Sequence, residues 1–425
     1  MKSIVVPKLD LKGKRFDVVV PASKSLANRA LILAALSKGE FQLKGDFEAE
    51  DIQIMIGALG EMGIHVETIG NQGTIGIRIQ NDLGWMEDDR ELELFLGNSG
   101  TSIRFLTSLV LFRKGSTILT GKDRMKERPI KDLVDALVQV GAEIEYLEKE
   151  GFPPLKVCGL KDRSGGLLKV RGDASSQFLT SLLLIGSQFE RGLEIQLEGL
   201  LISQPYIEMT LDLMRKWDIS VQRGVEGFRV FPQPLIGMDF EVEGDASAAT
   251  YWWALEYLQG CVINVQNVQN DSKQGDVQFK KVLNMLSNCT DAFEIDMNDM
   301  PDAAMTLMAV APFHAAPVTI KNVASLRVKQ TDRIEAMAKE LVKCGVSIDS
   351  GVDWVKIRPF LKSDYSTSLV SIETYDDHRV AMSMAVFGSM IGNIEILDPD
   401  CVKKTYPGFW DDLGRVGGRE LTPVA

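Results

Sequence analysis

Histidine and cysteine are scarce, and that scarcity removes several chemistries at the outset. Three histidines (His65, His314 and His378) and five cysteines (Cys158, Cys261, Cys289, Cys344 and Cys401) are scattered over 425 residues. No CxxC or CxxH spacing occurs, so no clustered metal site is expected. An odd number of dispersed thiols argues against a disulfide framework and for a reducing compartment, with the thiols serving as buried core residues. Long apolar runs are missing as well. Nothing approaches the roughly 18 consecutive apolar residues of a membrane span. The opening MKSIVVPKLDLKGKRF lacks the apolar centre of a secretory signal and reads as strand, so a cytoplasmic location is expected. There is no excess of basic charge: 47 Lys+Arg stand against 59 Asp+Glu, a net charge of −12. That balance excludes a general nucleic-acid binder but not a small anion held by a few local cations. GxxxxGK[ST] and GxSxG are absent and no GxGxxG is well placed, which removes the main support for a nucleotide-driven kinase, a dehydrogenase or a serine hydrolase.

What is present is repetition. Six strand-like runs share a small residue, alternating apolar residues and a closing Gly, Asn or Asp. They begin at Gly39, Gly115, Gly192, Gly260, Ala316 and Gly392. The period is about 75 residues with one shortened copy, too long for a simple solenoid. Six helix starts are small and polar: SKSLANR, NSGTSIR, DASSQ, DASAA, PDAA and DDHR. Apolar stretches such as ALILAAL, FLTSLVLF and AMSMAVFG follow and predict helices buried nearly all round. A second, amphipathic helix follows each, as in RVKQTDRIEAMAKEL. The unit is therefore strand, buried helix, strand, amphipathic helix, strand. Six copies group most simply as two α/β domains of three units.

Ser, Asn and Asp at helix starts are ordinarily caps. Their company points further. Lys24 and Arg29 accompany the first start, Arg104 the second and Arg379 the sixth. A helix N-terminus already attracts anions, so added cations there are best explained by an anionic ligand. Basic islands recur after the short strands: Arg124, Lys126 and Arg128; Arg327, Lys329 and Arg333; Lys403 and Lys404. Brought together, they predict a pocket for a ligand with several negative charges; left apart, they are solvated ion pairs. Asp302, after Pro301 and before an apolar helix, is either a cap or a desolvated carboxylate able to act as a base.

At this point the chain closely resembles the 5-enolpyruvylshikimate-3-phosphate synthase family, the 3-phosphoshikimate 1-carboxyvinyltransferases. The resemblance runs from PASKSLANRALILAAL at 21–36 to CVKKTYPGFW at 401–410. Between them stand, in order, LGNSGTSIRFLTS, RMKERPIKDLVDAL, GDASSQFLTSLLL, ISQPYIEMTLDLM, EGDASAATY, QGDVQF, MPDAAMTLMAVA, RVKQTDRIEAMAKEL and YDDHRVAM. It implies an inside-out α/β barrel of two domains, each of three βαβαββ units about a pseudo-threefold axis. The domains would be 22–244 and 1–21 plus 245–425, with a double crossover hinge near 20–23 and 243–245. The implied enzyme is a transferase of the shikimate pathway, which serves chorismate and aromatic amino acid biosynthesis. It moves the enolpyruvyl group of phosphoenolpyruvate to the 5-hydroxyl of shikimate 3-phosphate by addition and elimination, releasing phosphate. No metal or organic cofactor, nucleic acid or membrane partner is implied, and a monomer is expected. The shikimate 3-phosphate side would be Lys24, Ser25, Arg29, Ser175, Ser176, Gln177, Ser203, Tyr206, Asp302, Ser325 and Lys329. The phosphoenolpyruvate side would be Lys24, Asn98, Gly100, Arg128, Gln177, Arg333, Arg379 and Lys404. Lys24, Asp302, Gln330 and His378 would stand at the catalytic positions, with Asp302 accepting the 5-hydroxyl proton and His378 orienting the reacting groups.

Several positions depart from the family pattern. Gln330 occupies the glutamate of RVKETDR, and a neutral amide cannot protonate C3 of the enol. Ser325 replaces a common asparagine, Phe105 a common proline, and Ala22 the glycine of PGSKS. Gln330 alone supports the alternative of a catalytically weakened relative that still binds both substrates. The sister family of UDP-N-acetylglucosamine enolpyruvyl transferases carries a reactive cysteine in a loop of the N-terminal domain. Residues 113–128 here hold none.

Overall fold

The computed structural model describes residues 2–71, 74–173, 175–360 and 368–422. The chain divides into two compact units, Ala22–Glu243 and Met1–Pro21 with Gly244–Ala425. Both are mixed α/β.

In the Ala22–Glu243 unit the helices Lys24–Leu36, Gly100–Leu109 and Ser176–Ile185 pack against one another. Their near-continuous apolar sequences explain why: a helix without a polar face has no side that favours water. Several polar residues inside these helices are satisfied within the helix or by its neighbour, although the buried Asn28 amide has no partner among the described residues. Thr107 Oγ1 donates to the Ile103 carbonyl at 2.7 Å, and Ser181 Oγ donates to Ser108 Oγ at 2.6 Å. Among the described residues three sheets accompany the helices. In the second, Leu92–Phe95 runs parallel to Thr117–Thr120, which pairs antiparallel with Leu155–Val157, and that strand with Ile144–Tyr146. The third repeats the order with Gly166–Arg171, Leu193–Glu198, Gly227–Val230 and Val221–Arg223. In the first, Ser37–Lys44 receives its parallel partners, Leu235–Ile236 and Phe240–Glu241, from the far end of the unit. Amphipathic helices Glu50–Glu61, Lys131–Val138 and Gln204–Lys216 bury one stripe each.

The other unit is built the same way around Ala246–Gln259, Pro301–Val310 and His378–Ile391. Phe293–Asp296, Val318–Lys321, Val355–Ile357 and Ile348–Ser350 give the same four-stranded order. The first residues of the chain complete its other two sheets. Arg15–Val18 lies parallel to Val262–Val265, and Ser3–Val6 antiparallel to Ile394–Leu397, with Val6 opposite Ile394. Asp245 N donates to the Pro21 carbonyl at 2.8 Å, and Ser23 N to the Glu243 carbonyl at 2.8 Å, where the chain passes from one unit to the other.

All six repeated runs are strands, and each of the six polar starts opens one of the helices just named; Ala174, within DASSQ, lies outside the described residues. Ser23, Ser175, Asp245 and Asp377 accept a backbone N–H as caps. Ser99 and Met300 make no such bond. The cysteines are free, with Cys261, Cys344 and Cys401 buried and Cys158 and Cys289 half-buried.

Candidate active site

In the Ala22–Glu243 unit the sequence-selected residues gather at the N-terminal ends of the three buried helices. Lys24 opens its helix and pairs with the buried Asp51 at 3.3 Å. Arg29, one turn on, is buried. It donates to the Ser25 carbonyl at 2.6 Å, Thr210 Oγ1 at 2.8 Å, and Thr180 Oγ1 and the Tyr206 carbonyl at 3.3 Å. It thereby ties together the elements that carry Ser25, Tyr206 and the Ser175–Ser176 helix start. Burial lowers its pKa to about 10, and Tyr206 acts in the opposite direction. Ser203 heads the Gln204–Lys216 helix in left-handed backbone, φ +53°, which a non-glycine residue adopts at a cost.

The second start is tighter. The Arg128 guanidinium lies against Gly100 and donates to the Asn98 carbonyl at 3.4 Å. A Cβ on Gly100 would sit 2.2 Å from Arg128 Nη2, so glycine is what admits the arginine here. Arg104 donates to Gln177 Oε1, and Gln177 Nε2 donates to Thr101 Oγ1 at 3.2 Å. Arg104 makes no ion pair among the described residues. Burial first, and the Arg128 charge second, lower its pKa to about 9. Two buried guanidiniums repelling each other make a site that an anion would relieve.

In the other unit the centre is a carboxylate between two guanidiniums. Asp302 Oδ1 lies 2.8 Å from Arg333 Nη1, and Oδ2 lies 2.9 Å from Arg379 Nη2. The cap position belongs to Met300, so Asp302 faces the arginines instead of its own helix. Arg333 also forms a fork on the buried Asp377, at 2.7 and 3.2 Å, and donates to Gln330 Oε1 at 3.0 Å. Asp377 Oδ1 caps the next helix through Arg379 N at 2.9 Å. Burial would lower the Arg379 pKa, but Asp302 and then Tyr251 hold it well above its ordinary value. Arg379 Nε is buried with no hydrogen-bond partner among the described residues. Tyr251 is pushed up to about 12 by burial. Asp276, bonded to Ser247 Oγ, is pushed up to about 7 by burial and then by Asp302. His378 is fully buried, its Nδ1 3.8 Å from Asp377 Oδ1. Lys404 is buried at the end of the Pro399–Lys404 turn. Ser325 and Lys329 are half-buried in and just after the Ala324–Val328 turn.

The basic islands divide. Arg128, Arg333 and Lys404 are buried. Their neighbours pair at the surface: Arg124 with Glu127, Lys126 with Glu148, Arg327 with Asp332 and Lys403 with Asp400. Arg333 and Arg379 are matched by Asp302 and Asp377, so this cluster is a charge-balanced network and not the bare basic patch that spacing suggests. Sequence reasoning missed Asp51, Asp276 and the double role of Asp377. Asp276 stands in QGDVQF and Asp377 in YDDHR, but no local pattern marks Asp51 as a partner of Lys24.

Each α/β unit thus gathers buried guanidiniums at or beside helix starts, groups suited to small anions. A family model for EPSP synthase (3-phosphoshikimate 1-carboxyvinyltransferase) matches residues 10–413, and the chain belongs to that family. The 3-phosphoshikimate 1-carboxyvinyltransferase of Actinobacillus succinogenes is 40% identical, over 94% of this chain and 96% of that one. That of Cellvibrio japonicus is 42% identical, over 95% and 97%. The solved EPSP synthase of Acinetobacter baumannii shares the fold with a TM-score of 0.75 at 21% identity, covering 100% and 99% of the two chains. The enolpyruvyl transferase NikO of Streptomyces tendae shares it at 0.74 and 13% identity, covering 100% and 98%. No finding favours the sister family or a weakened relative. No helix among the described residues is long and apolar enough to cross a membrane.

Proposed function

We propose that the two clusters are the two substrate-handling faces of an enolpyruvyl transferase. The chain transfers the enolpyruvyl group of phosphoenolpyruvate to the 5-hydroxyl of shikimate 3-phosphate and releases phosphate, a step of aromatic amino acid biosynthesis. The 5-hydroxyl adds to C2 of the enol while C3 is protonated, and the tetrahedral intermediate then loses phosphate. The observation that carries the assignment of roles is Asp302 between Arg333 and Arg379. A carboxylate fixed by two cations can hold the shikimate hydroxyls and take the 5-hydroxyl proton as the bond to C2 forms. The same cations face the carboxylate and phosphate of the donor, where negative charge gathers as phosphate leaves. The buried Nε of Arg379 is a donor suited to that anion.

The remaining roles are those that the family resemblance implies. Arg128, with Asn98, Gly100, Gln177 and Lys404, holds the phosphoenolpyruvate anion. Ser25, Ser175, Ser176, Ser203, Tyr206, Ser325 and Lys329 hold shikimate 3-phosphate, with Arg29 fixing Ser25 and Tyr206 from behind. Lys24, held by Asp51, touches both substrates and assists proton transfer. Gln330 anchors Arg333 and does not itself donate the C3 proton. His378 orients the Asp377–Arg379 segment from its buried position. The proposal includes the inside-out barrel with threefold pseudo-symmetry in each unit, a hinge near 20–23 and 243–245, and a cytoplasmic monomer. The test is phosphate release from phosphoenolpyruvate in the presence and absence of shikimate 3-phosphate. Release that needs both supports the reading; binding of both without release overturns it.

A further inference from the structure

Glu340 is a fully buried acid on the apolar stripe of the Arg333–Lys343 helix, among Ile334, Ala336, Met337 and Leu341. A carboxylate there is costly unless every oxygen is engaged. It is engaged by donors alone. Tyr375 O–H reaches Oε1 at 2.6 Å, while Glu373 N–H and Lys343 Nζ reach Oε2 at 3.1 and 2.7 Å. Two of the three come from the segment that leads into Asp377 and Arg379. That segment carries consecutive non-glycine residues in left-handed backbone, Tyr375 at φ +55° and Asp376 at φ +53°. Such a pair persists only where surrounding contacts enforce it. Arg333 lies at the i−7 position from Glu340, hence on the same helix face, and grips Asp377. One helix thus holds the 373–379 segment at two points on either side of the strained turn.

We propose that Glu340 and Tyr375 are positioning residues that keep this turn in the geometry placing Asp377 on Arg333 and Arg379 on Asp302. The inference rests on the reading of Arg333 and Arg379 as residues that hold phosphoenolpyruvate. The glutamate charge strengthens all three bonds. A glutamine keeps one acceptor oxygen for the Glu373 N–H and leaves its NH2 group to Tyr375 Oη as acceptor, so the charge-assisted bonds to Tyr375 and Lys343 are lost.

The test uses the full chain with Tyr375→Phe and Glu340→Gln, measuring steady-state kinetics for both substrates, melting temperature, and hydrogen exchange of the amides 376–381. In both variants the KM for phosphoenolpyruvate is expected to rise about tenfold while that for shikimate 3-phosphate stays within about twofold. Exchange of those amides is expected to quicken by about tenfold or more. Tyr375 is partly exposed, so Tyr375→Phe carries the test if Glu340→Gln fails to fold. A lowered melting temperature with unchanged KM for phosphoenolpyruvate and unchanged exchange at 376–381 would overturn the proposal and leave Glu340 a purely structural residue. If the wild-type chain releases no phosphate, the functional reading fails separately, and the exchange measurement alone decides whether the clamp holds the turn.

Discussion

Gly100→Ala is the perturbation whose consequence can be worked furthest. Gly100 opens a buried helix in ordinary right-handed backbone, so alanine meets no conformational strain there. Its methyl would sit 2.2 Å from Nη2 and 2.3 Å from Cζ and Nη1 of Arg128. Ordinary contact begins near 3.4 Å, so the guanidinium must retreat by about 1.2 Å. The obstacle is the end of a flexible side chain, so the fold should accommodate it with a stability loss under about 1 kcal/mol. The site should not. A displacement of about 1 Å in a group that orients a reacting substrate costs up to about 100-fold, or about 2.7 kcal/mol in the transition state. The retreat also disturbs the contact with the Asn98 carbonyl and changes the spacing to Arg104, whose charge Arg128 already disfavours. The assay is steady-state phosphate release with each substrate varied in turn. The KM for phosphoenolpyruvate should rise by about 10- to 100-fold, with that for shikimate 3-phosphate within about twofold and the melting temperature nearly unchanged. A folded Gly100→Ala variant with wild-type KM for phosphoenolpyruvate would show that the Arg128 guanidinium does not engage that substrate.

Three further outcomes are expected. Asp302→Asn should lower kcat by about 100- to 10,000-fold, and Asp302→Ala should also lose about 3 kcal/mol of stability, because Arg379 is left buried without its carboxylate while Arg333 keeps Asp377; near-normal turnover in either variant would remove Asp302 from the proton-transfer role. Gln330→Glu should raise kcat or shift the pH–rate profile, because it adds a titratable acid beside Arg333; an unchanged rate and profile would mean another acid supplies the C3 proton. Asp276 has a folded-state pKa raised to about 7 by burial and by Asp302, so its contribution to stability is greatest below the unfolded pKa and is lost as pH rises toward and through 7. The stability of Asp276→Asn relative to wild type should therefore climb between about pH 4 and pH 7 and level off above, as read by denaturant titration across pH. A pH-independent difference would contradict the burial argument.

Much of the architecture was legible because its causes are local. ALILAAL, FLTSLLLIG and AMSMAVFG can only be buried helices, since they leave no polar face. Ser23, Ser175, Asp245 and Asp377 stand where caps are needed and do cap. The six repeated runs carry the alternation of half-buried strands, and strands form there. The candidate site was legible to the extent that its residues lie in motifs, as Lys24, Gly100, Asp302, Arg333 and Arg379 do.

What the residues alone determined was therefore the succession of elements, the family and the cast of charged groups. Tertiary structure decided their pairing. Arg128 is buried while Arg124 and Lys126 meet surface glutamates, although all three belong to one basic run. Arg333 and Arg379 are neutralised by Asp302 and Asp377, and Lys24 by Asp51. That the first 21 residues go with the C-terminal half was implied by the family resemblance, and tertiary structure supplies the cause: Arg15–Val18 and Ser3–Val6 complete sheets whose other strands lie hundreds of residues later. The physical reason is one of range. Periodicity, capping and burial of a helix face are settled within a few residues, whereas an ion pair between distant positions depends on how loops close and which side chains lose water together.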